Sequence, residues 1–383
     1  MLVACVSHIA CARDSKARSV RGNLQEYIQM ATHKIAIIKG DGIGVDVVNE
    51  GMKVLDALAP RYGITWDYTE FPWGSDYYFE HNEMMPSTAL DTLADFNAVF
   101  LGAVGHPDIQ DNITLDGLLL PIRRRFDQFV CLRPSVLYPG VTSPLSGKKP
   151  YDIDLTVVRE NTEGEYLNIG GFAYHETPDE VAIQTSVFTR RGCERVIRYA
   201  FDLARERGKK NHVTSVTKSN ALGFMTIWDR TFSAVAEEYT DIDTTSLLID
   251  AACMDLVRRP EMFDVMVAPN LFGDIITDVG AIISGSLGLA CSANINPDRS
   301  VPSMFEPTHG SAPDIAGQGI ANPMAQILTA AMMLRHLGED AAAAVVDAAV
   351  LQLLEQGETL TPDLGWSSTT ERVGSAIAEI VSK

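Results

Sequence analysis

From Lys34 onward, short runs rich in β-branched residues alternate with longer runs of helical spacing, and that alternation restricts the chain to an α/β architecture. Ile35–Ile38 and Ala98–Leu101 predict strands, and Val47, Val48, Gly51, Val54, Leu55 and Leu58 recur at helical spacing up to Pro60. Farther on, Leu155–Arg159, Val181–Phe188, Val213–Thr217, Ser246–Asp250 and Val265–Ala268 predict strands, alternating with helices near 191–207, 223–239 and 271–283. The last third is mostly helical, with Asn322-Pro323 as a start signal and Gly338 as a stop. At 383 residues and 46% hydrophobic composition, the chain suits two domains or one large domain with an insertion.

A formal net charge of −19 argues against nucleic acid or an anionic membrane surface as partner, since either needs a surplus of Lys and Arg. Small anions remain available to a few gathered arginines. No apolar run approaches the ~20 residues that span a bilayer. The six cysteines, Cys5, Cys11, Cys131, Cys193, Cys253 and Cys291, form no CxxC pair, so a reducing, cytoplasmic setting is expected. Residues 1–29 have no apolar core or small-residue cleavage site of a secretory signal. Met30-Ala31-Thr32-His33-Lys34 resembles a natural start, which makes 1–29 a dispensable extension.

Four segments carry chemistry. Gly40-Asp41-Gly42-Ile43-Gly44 joins a strand to a helix, yet its spacing fails the dinucleotide fingerprint G-x-G-x-x-G, and Asp67 does not end a convincing second strand. On sequence alone the loop is equally a tight turn or a ligand contact. Arg123, Arg124, Arg125 and Arg133 lie within eleven residues and Arg159 ends a strand, so a carboxylate clamp competes with a solvated basic face. Asp274 and Asp278 share a helix face, and Asp250 ends a predicted strand; three such acids suit a hard cation, Mg²⁺ or Mn²⁺. The polar run Glu306-Pro307-Thr308-His309-Gly310-Ser311-Ala312-Pro313-Asp314 reads as a functional loop.

Together with Leu132-Arg133-Pro134, Arg159-Glu160-Asn161-Thr162-Glu163-Gly164-Glu165-Tyr166, Thr217-Lys218-Ser219-Asn220 and Asn270-Leu271-Phe272-Gly273-Asp274-Ile275-Ile276-Thr277-Asp278, these segments resemble the decarboxylating β-hydroxyacid dehydrogenases, the isocitrate and isopropylmalate dehydrogenase family. The resemblance runs from about Lys34 to the C-terminus. It implies a two-domain fold with a mixed parallel and antiparallel sheet, not a Rossmann fold, which accounts for the failed fingerprint. A large cofactor-binding domain would come from 30–128 and 285–383, and a central domain, 129–284, would hold substrate and metal and make a homodimer with shared sites.

The resemblance also assigns roles. Arg123, Arg133 and Arg159 clamp substrate carboxylates, and Leu119 lies beside the substrate's C3 substituent. Asp274, Asp278 and the partner subunit's Asp250 hold Mg²⁺ or Mn²⁺, with room for a monovalent cation such as K⁺. Lys218, also from the partner, is the general base and Tyr166 the general acid. Gly102, Glu306, His309, Gly310, Ser311, Ala312, Asp314 and Asn322 take the nicotinamide cofactor, with Asp314 at the adenosine ribose.

The activity implied is oxidation of a 2-hydroxy diacid followed by decarboxylation. A metal-dependent phosphohydrolase would leave Lys218, Tyr166 and the Glu306–Asp314 loop without a role. A non-catalytic family member would have lost part of the base, acid and metal set, which is intact here. Where the isocitrate branch places Ser and Asn for a third carboxylate, this chain has Gly117 and Leu119, and apolar groups cannot repay that carboxylate's desolvation. Leu118, Leu119 and Leu120 suit an isopropyl group, which keeps 3-isopropylmalate as the runner-up. Trp73-Gly74-Ser75-Asp76-Tyr77-Tyr78, Phe126-Asp127-Gln128 and Glu163-Gly164-Glu165-Tyr166 instead favour the D-malate and tartrate branch.

Asp314 sets the cofactor expectation, because a carboxylate accepts from a ribose 2′-hydroxyl and repels a 2′-phosphate. NAD should exceed NADP in kcat/KM by at least about tenfold, the equivalent of ~1.4 kcal/mol. Equal values for the two cofactors would remove Asp314 from that role.

Overall fold

The computed structural model describes residues 31–383, so the expected extension, residues 1–29, lies outside the described residues. The strands are β1 (Ala31–Gly40), β2 (Ile64–Glu70), β3 (Ala98–Ala103), β4 (Val130–Val136), β5 (Asp154–Glu160), β6 (Gly164–Ala173), β7 (Val181–Val187), β8 (His212–Thr217), β9 (Asp243–Leu248), β10 (Val265–Ala268), β11 (Ala293–Ile295) and β12 (Ser303–Phe305). The helices are α1 (Ile43–Tyr62), α2 (Ser75–His81), α3 (Ala89–Leu93), α4 (Asp111–Thr114), α5 (Leu120–Arg125), α6 (Arg190–Arg207), α7 (Thr226–Ala236), α8 (Ile249–Arg258), α9 (Asn270–Ile283), α10 (Met324–His336), α11 (Asp340–Gln356) and α12 (Thr370–Val381).

Ten strands form one sheet in the order β2-β1-β3-β12-β11-β4-β5-β10-β8-β9, and β6 and β7 form a separate hairpin. The β2-β1-β3-β12 pairs are parallel, as are the β5-β10-β8-β9 pairs, whereas β12-β11, β11-β4 and β4-β5 are antiparallel. The two parallel halves therefore run in opposite directions and meet at an antiparallel seam. This is the mixed sheet expected, and it is not a Rossmann sheet.

Both faces are covered, as the alternation in β1 makes plain. Ile35 and Ile37 join one apolar cluster with α1, while Ala36 and Ile38 join another with Trp73, Met84 and Leu118. Pro134 lies inside β4, where a proline normally breaks a central strand. It is tolerated because β11 pairs only with Val130–Leu132, leaving β4 without a neighbour on that side at Pro134.

Four local features depart from the sequence expectations. Asp250 does not end a strand: β9 stops at Leu248, and Asp250 occupies the first turn of α8, where the helix dipole favours an acid. A second strand, β2, does follow α1, with Asp67 in its middle. Helix α1 continues through Pro60 to Tyr62 and ends at Gly63, whose φ of 67° supplies the left-handed stop. At α10 the start signal acts one residue late, with the Asn322 side chain accepting from the Met324 N–H at 3.0 Å.

Arg207, at the end of α6, ties the β5-β10-β8 part of the sheet together. It donates to Asp264 at 2.9 Å, to Thr156 at 2.7 Å and to Asp154 at 3.0 Å, and Asp264 is fully buried. Arg207→Ala leaves a buried carboxylate without its cation and should cost about 3–5 kcal/mol in urea unfolding. A loss below about 1 kcal/mol would contradict that arrangement.

Candidate active site

Arg133 of β4 is in register with Val157 of β5, and Val157 and Arg159 point to the same side of the pleat, so both guanidinium groups emerge on one face of the seam. Helix α9 crosses that face. Gly273 makes the close approach possible, since a Cβ there would lie 2.7 Å from the Arg159 side chain. One residue later, Asp274 Oδ1 accepts from Arg133 Nη1 at 3.0 Å and also from Arg159 Nη1. The Tyr166 hydroxyl, from β6, donates to Asp274 Oδ2 at 2.9 Å.

Each arginine has its own support. Arg159 Nε donates to Asn270 Oδ1 at 2.9 Å, and Arg133 Nη1 also donates to Thr277 at 2.8 Å. Arg123 of α5 donates to Glu306 Oε1 at 2.6 Å, an oxygen that also accepts from Asn294 at 2.8 Å. Burial pushes the Asp274 carboxyl up, but Arg159 and Arg133 more than offset it and hold the group at about 2. Burial and the Asp274 charge raise the Tyr166 hydroxyl, which keeps it protonated and able to donate. Asp278, one turn along α9, has its carboxyl pushed up by desolvation and by Asp274. A cation between the two acids would relieve that repulsion.

Arg123, Arg133, Arg159, Tyr166 and Asp274 border a cleft of about 200 Å³ whose other walls are Gly102–Val104, Leu115, Leu119, Leu120 and Glu306–Gly310, and Asp278 lies outside that lining. Arg123 Nε, Arg133 Nε and His309 Nε2 are buried without a hydrogen-bond partner. Burial holds the His309 ring below its usual pKa, and with Nδ1 against the Gly310 carbonyl at 3.0 Å, Nε2 is left as an acceptor. Two unpaired cationic donors and one acceptor at a small cleft are groups a polar ligand would satisfy.

The Gly40–Gly44 loop resolves as scaffold. A Cβ on Gly40 would lie 2.0 Å from the Ala103 carbonyl oxygen, and one on Gly42 would lie 2.0 Å from that of Ser311. Asp41 accepts from the Ser75 N–H and the Gly105 N–H, each at 2.7 Å. The loop thus brackets the 102–105 turn and the 306–314 loop backbone to backbone. Ser311 and Ala312 continue into a second cavity of about 540 Å³ with Gly105, His106 and Asp111, and Asp314 is exposed just beyond it.

Asn322 and Glu306 both make contacts within the chain. Asn322 spends its side chain on the α10 cap and on Asp363, at 2.9 Å, leaving its backbone for a ligand. The Glu306 carboxylate orients Arg123. Lys218 and Asp250 do not reach Asp274; they pair with each other at 2.6 Å, and Asp250 is 63% exposed. Among the described residues no three acid, His or Cys side chains gather at one point. Asn294 was not singled out in the sequence, and Asn270 and Asp41 entered only as members of longer motifs, because a supporting amide or carboxylate has no spacing signature of its own.

Residues 34–377 match the isocitrate/isopropylmalate dehydrogenase family. The chain is 49% identical over 360 residues to the D-malate dehydrogenase [decarboxylating] of Escherichia coli K12, covering 92% of this chain and 99% of that one. It is 46% identical over 359 residues to the tartrate dehydrogenase/decarboxylase of Pseudomonas putida, covering 91% and 98%. The isocitrate dehydrogenase of Methylococcus capsulatus superposes with a TM-score of 0.83 at 36% identity, over 92% of this chain and all of the other.

Gly42 gives a test of the bracket. At φ 56° an alanine is strained, and its Cβ would displace Ser311. With left-handed strain of about 1–2 kcal/mol added to that displacement, Gly42→Ala should weaken dinucleotide binding about tenfold or more by titration. Diacid affinity should stay within about threefold, since the clamp arginines are untouched. Equal weakening of both ligands would show that the loop supports the whole cleft instead.

Proposed function

The chain belongs to the isocitrate/isopropylmalate dehydrogenase family, and on that premise we propose that it oxidises D-malate with NAD and decarboxylates the product to pyruvate, with tartrate as a further substrate. The observation that carries this reading is the convergence of Arg123, Arg133, Arg159, Asp274 and Tyr166 on one small cleft.

Arg123, Arg133 and Arg159 bind the two carboxylates, each charge-assisted contact contributing about 1.5–3 kcal/mol, and so fix C2 facing the Gly102–Val104 turn. A divalent cation on Asp274 and Asp278, with the partner subunit's Asp250, would acidify the 2-hydroxyl and then draw electrons towards the keto oxygen. Lys218 of the partner subunit would take the hydroxyl proton, and a nicotinamide cofactor held against the Gly102–Val104 turn would supply the hydride acceptor for C2. The C4 carboxylate departs as CO₂, and Tyr166 protonates C3 of the remaining enolate. Leu115, Leu119 and Leu120 surround C3 with apolar surface, which suits a methylene and disfavours the third carboxylate of isocitrate. The described cysteines are all free, in keeping with a cytoplasmic setting, and among the described residues no helix is long and apolar enough to cross a membrane.

A homodimer supplies what one chain lacks. Exposed Met254 and Val257 on α8 and Ile275 and Ile282 on α9 form an apolar face suited to a second copy of residues 129–284. Residues 30–128 and 285–383 would then act as the cofactor-binding domain.

Two experiments address these readings. Lys218→Met and Asp274→Asn should each be nearly inactive, yet random re-association gives about half mixed dimers with one intact site in two, so about a quarter of wild-type activity should return. No recovery despite demonstrated subunit exchange would remove the shared site. In a kcat/KM panel with NAD and Mn²⁺, D-malate should lead tartrate, 3-isopropylmalate and isocitrate. A lead of more than about tenfold for 3-isopropylmalate would move the substrate to the runner-up while leaving the chemistry in place.

A further inference from the structure

Tyr166 sits on a stretch of β6 where the backbone ladder with β7 is interrupted, and β7 reaches only the neighbouring Glu165, through the side chains of Gln184 and Ser186. Gly164 pairs with Val187 and Ile169 with Thr185, so β6 advances five residues while β7 advances two. The surplus forms a bulge containing Tyr166, in which Asn168 takes a φ of 55°. Backbone groups inside a bulge lose their ladder bonds and must find other partners.

One such partner comes from across the cleft, with a side-chain contact beside it. The Tyr166 carbonyl accepts from Arg124 Nη2 at 2.6 Å, and Asn168 Nδ2 donates to Asp116 Oδ2 at 2.8 Å. Asp116 and Arg124 lie on the helical segment that carries Leu119, Leu120 and Arg123 into the site. Its middle, Leu115–Leu119, is a π-turn, packed so closely that a Cβ on Gly117 would lie 2.6 Å from Met84. Wide turns of this kind occur often at functional sites.

Building on the reading of Tyr166 as proton donor, we propose that Asp116 and Arg124 are positioning residues for it, a two-point latch that ties the bulge to the helix binding the substrate carboxylate. Arg123, which would take that carboxylate, is the immediate neighbour of Arg124. A ligand that settles the helix therefore settles the proton donor as well. Arg124 and Asn168 are exposed, so the latch can open and re-form as the cleft admits substrate and releases product.

The two half-reactions separate this role from a structural one. The hydride half is followed as NADH-dependent reduction of oxaloacetate. The proton half is followed by NMR as exchange of the pyruvate methyl protons with D₂O, with NADH and Mg²⁺ present. Arg124→Ala and Asp116→Ala should each slow the exchange by at least about tenfold, as a small misplacement of a reacting group does, and leave oxaloacetate reduction within about threefold. Arg124→Lys and Asp116→Asn, which keep a donor and an acceptor, should restore most of the exchange, and Tyr166→Phe should reproduce the loss.

Equal loss in both half-reactions, or no loss, would overturn the latch while leaving the enzyme's function standing. Normal exchange in Tyr166→Phe would remove Tyr166 as donor and the latch with it. A wild-type chain performing neither half-reaction would overturn the functional reading itself.

Discussion

Two guanidinium groups side by side in a protein interior need a counter-charge, and Asp274 supplies it. Arg133 and Arg159 are almost fully buried on adjacent strands, and both donate to one oxygen of that carboxylate. A buried cluster of this kind adds little net stability, because desolvation consumes most of the attraction. Its value is positional. The cluster fixes where α9 crosses the sheet, requires glycine at 273, and brings the Tyr166 hydroxyl to the remaining oxygen of Asp274. A diacid and a cation would share these same charges, with the cation drawn to the two acids and the new carboxylates to the arginines.

The glycine loop at the head of α1 does for the 102–105 turn and the 306–314 loop what Asp274 does for the two arginines. It works through shape. Backbone lies on backbone at Gly40 and Gly42, and the Asp41 carboxylate, bound to Ser75 and Gly105, locks the stack. A side chain at either glycine would push the 102–105 turn away from the 306–314 loop.

Much of this was legible in the sequence where periodicity or spacing carries it. Four of the five mid-chain strands appear within one residue of their predicted ends, Ser246–Asp250 being the exception, and Asp274 and Asp278 share a helix face as the four-residue interval requires. The seam was not legible. β11 and β12 have three residues each, too short for a period, and β4 contains an arginine and a proline that only its half-open neighbourhood explains. β6 has three glycines and a bulge, so no alternation survives in it. Asp250 was misplaced because an acid after a short apolar run, here Leu247-Leu248-Ile249, looks the same whether it ends a strand or starts a helix. The arginines illustrate a different limit: their convergence depends on the register between β4 and β5, which no local pattern records.

The order of strands in the sheet also bears on how the chain is made. β4, β5, β8, β9 and β10 leave the ribosome as an unbroken stretch and can pair as they emerge. β3 must wait about 200 residues for its neighbour β12, and α1, the first helix of the described chain, packs on α12, the last. Contacts so distant along the chain close slowly. During synthesis the hydrophobic flank of α1 and the open edge of β3 stay exposed until the final third arrives, so the nascent cofactor side is the part that most needs a chaperone's protection.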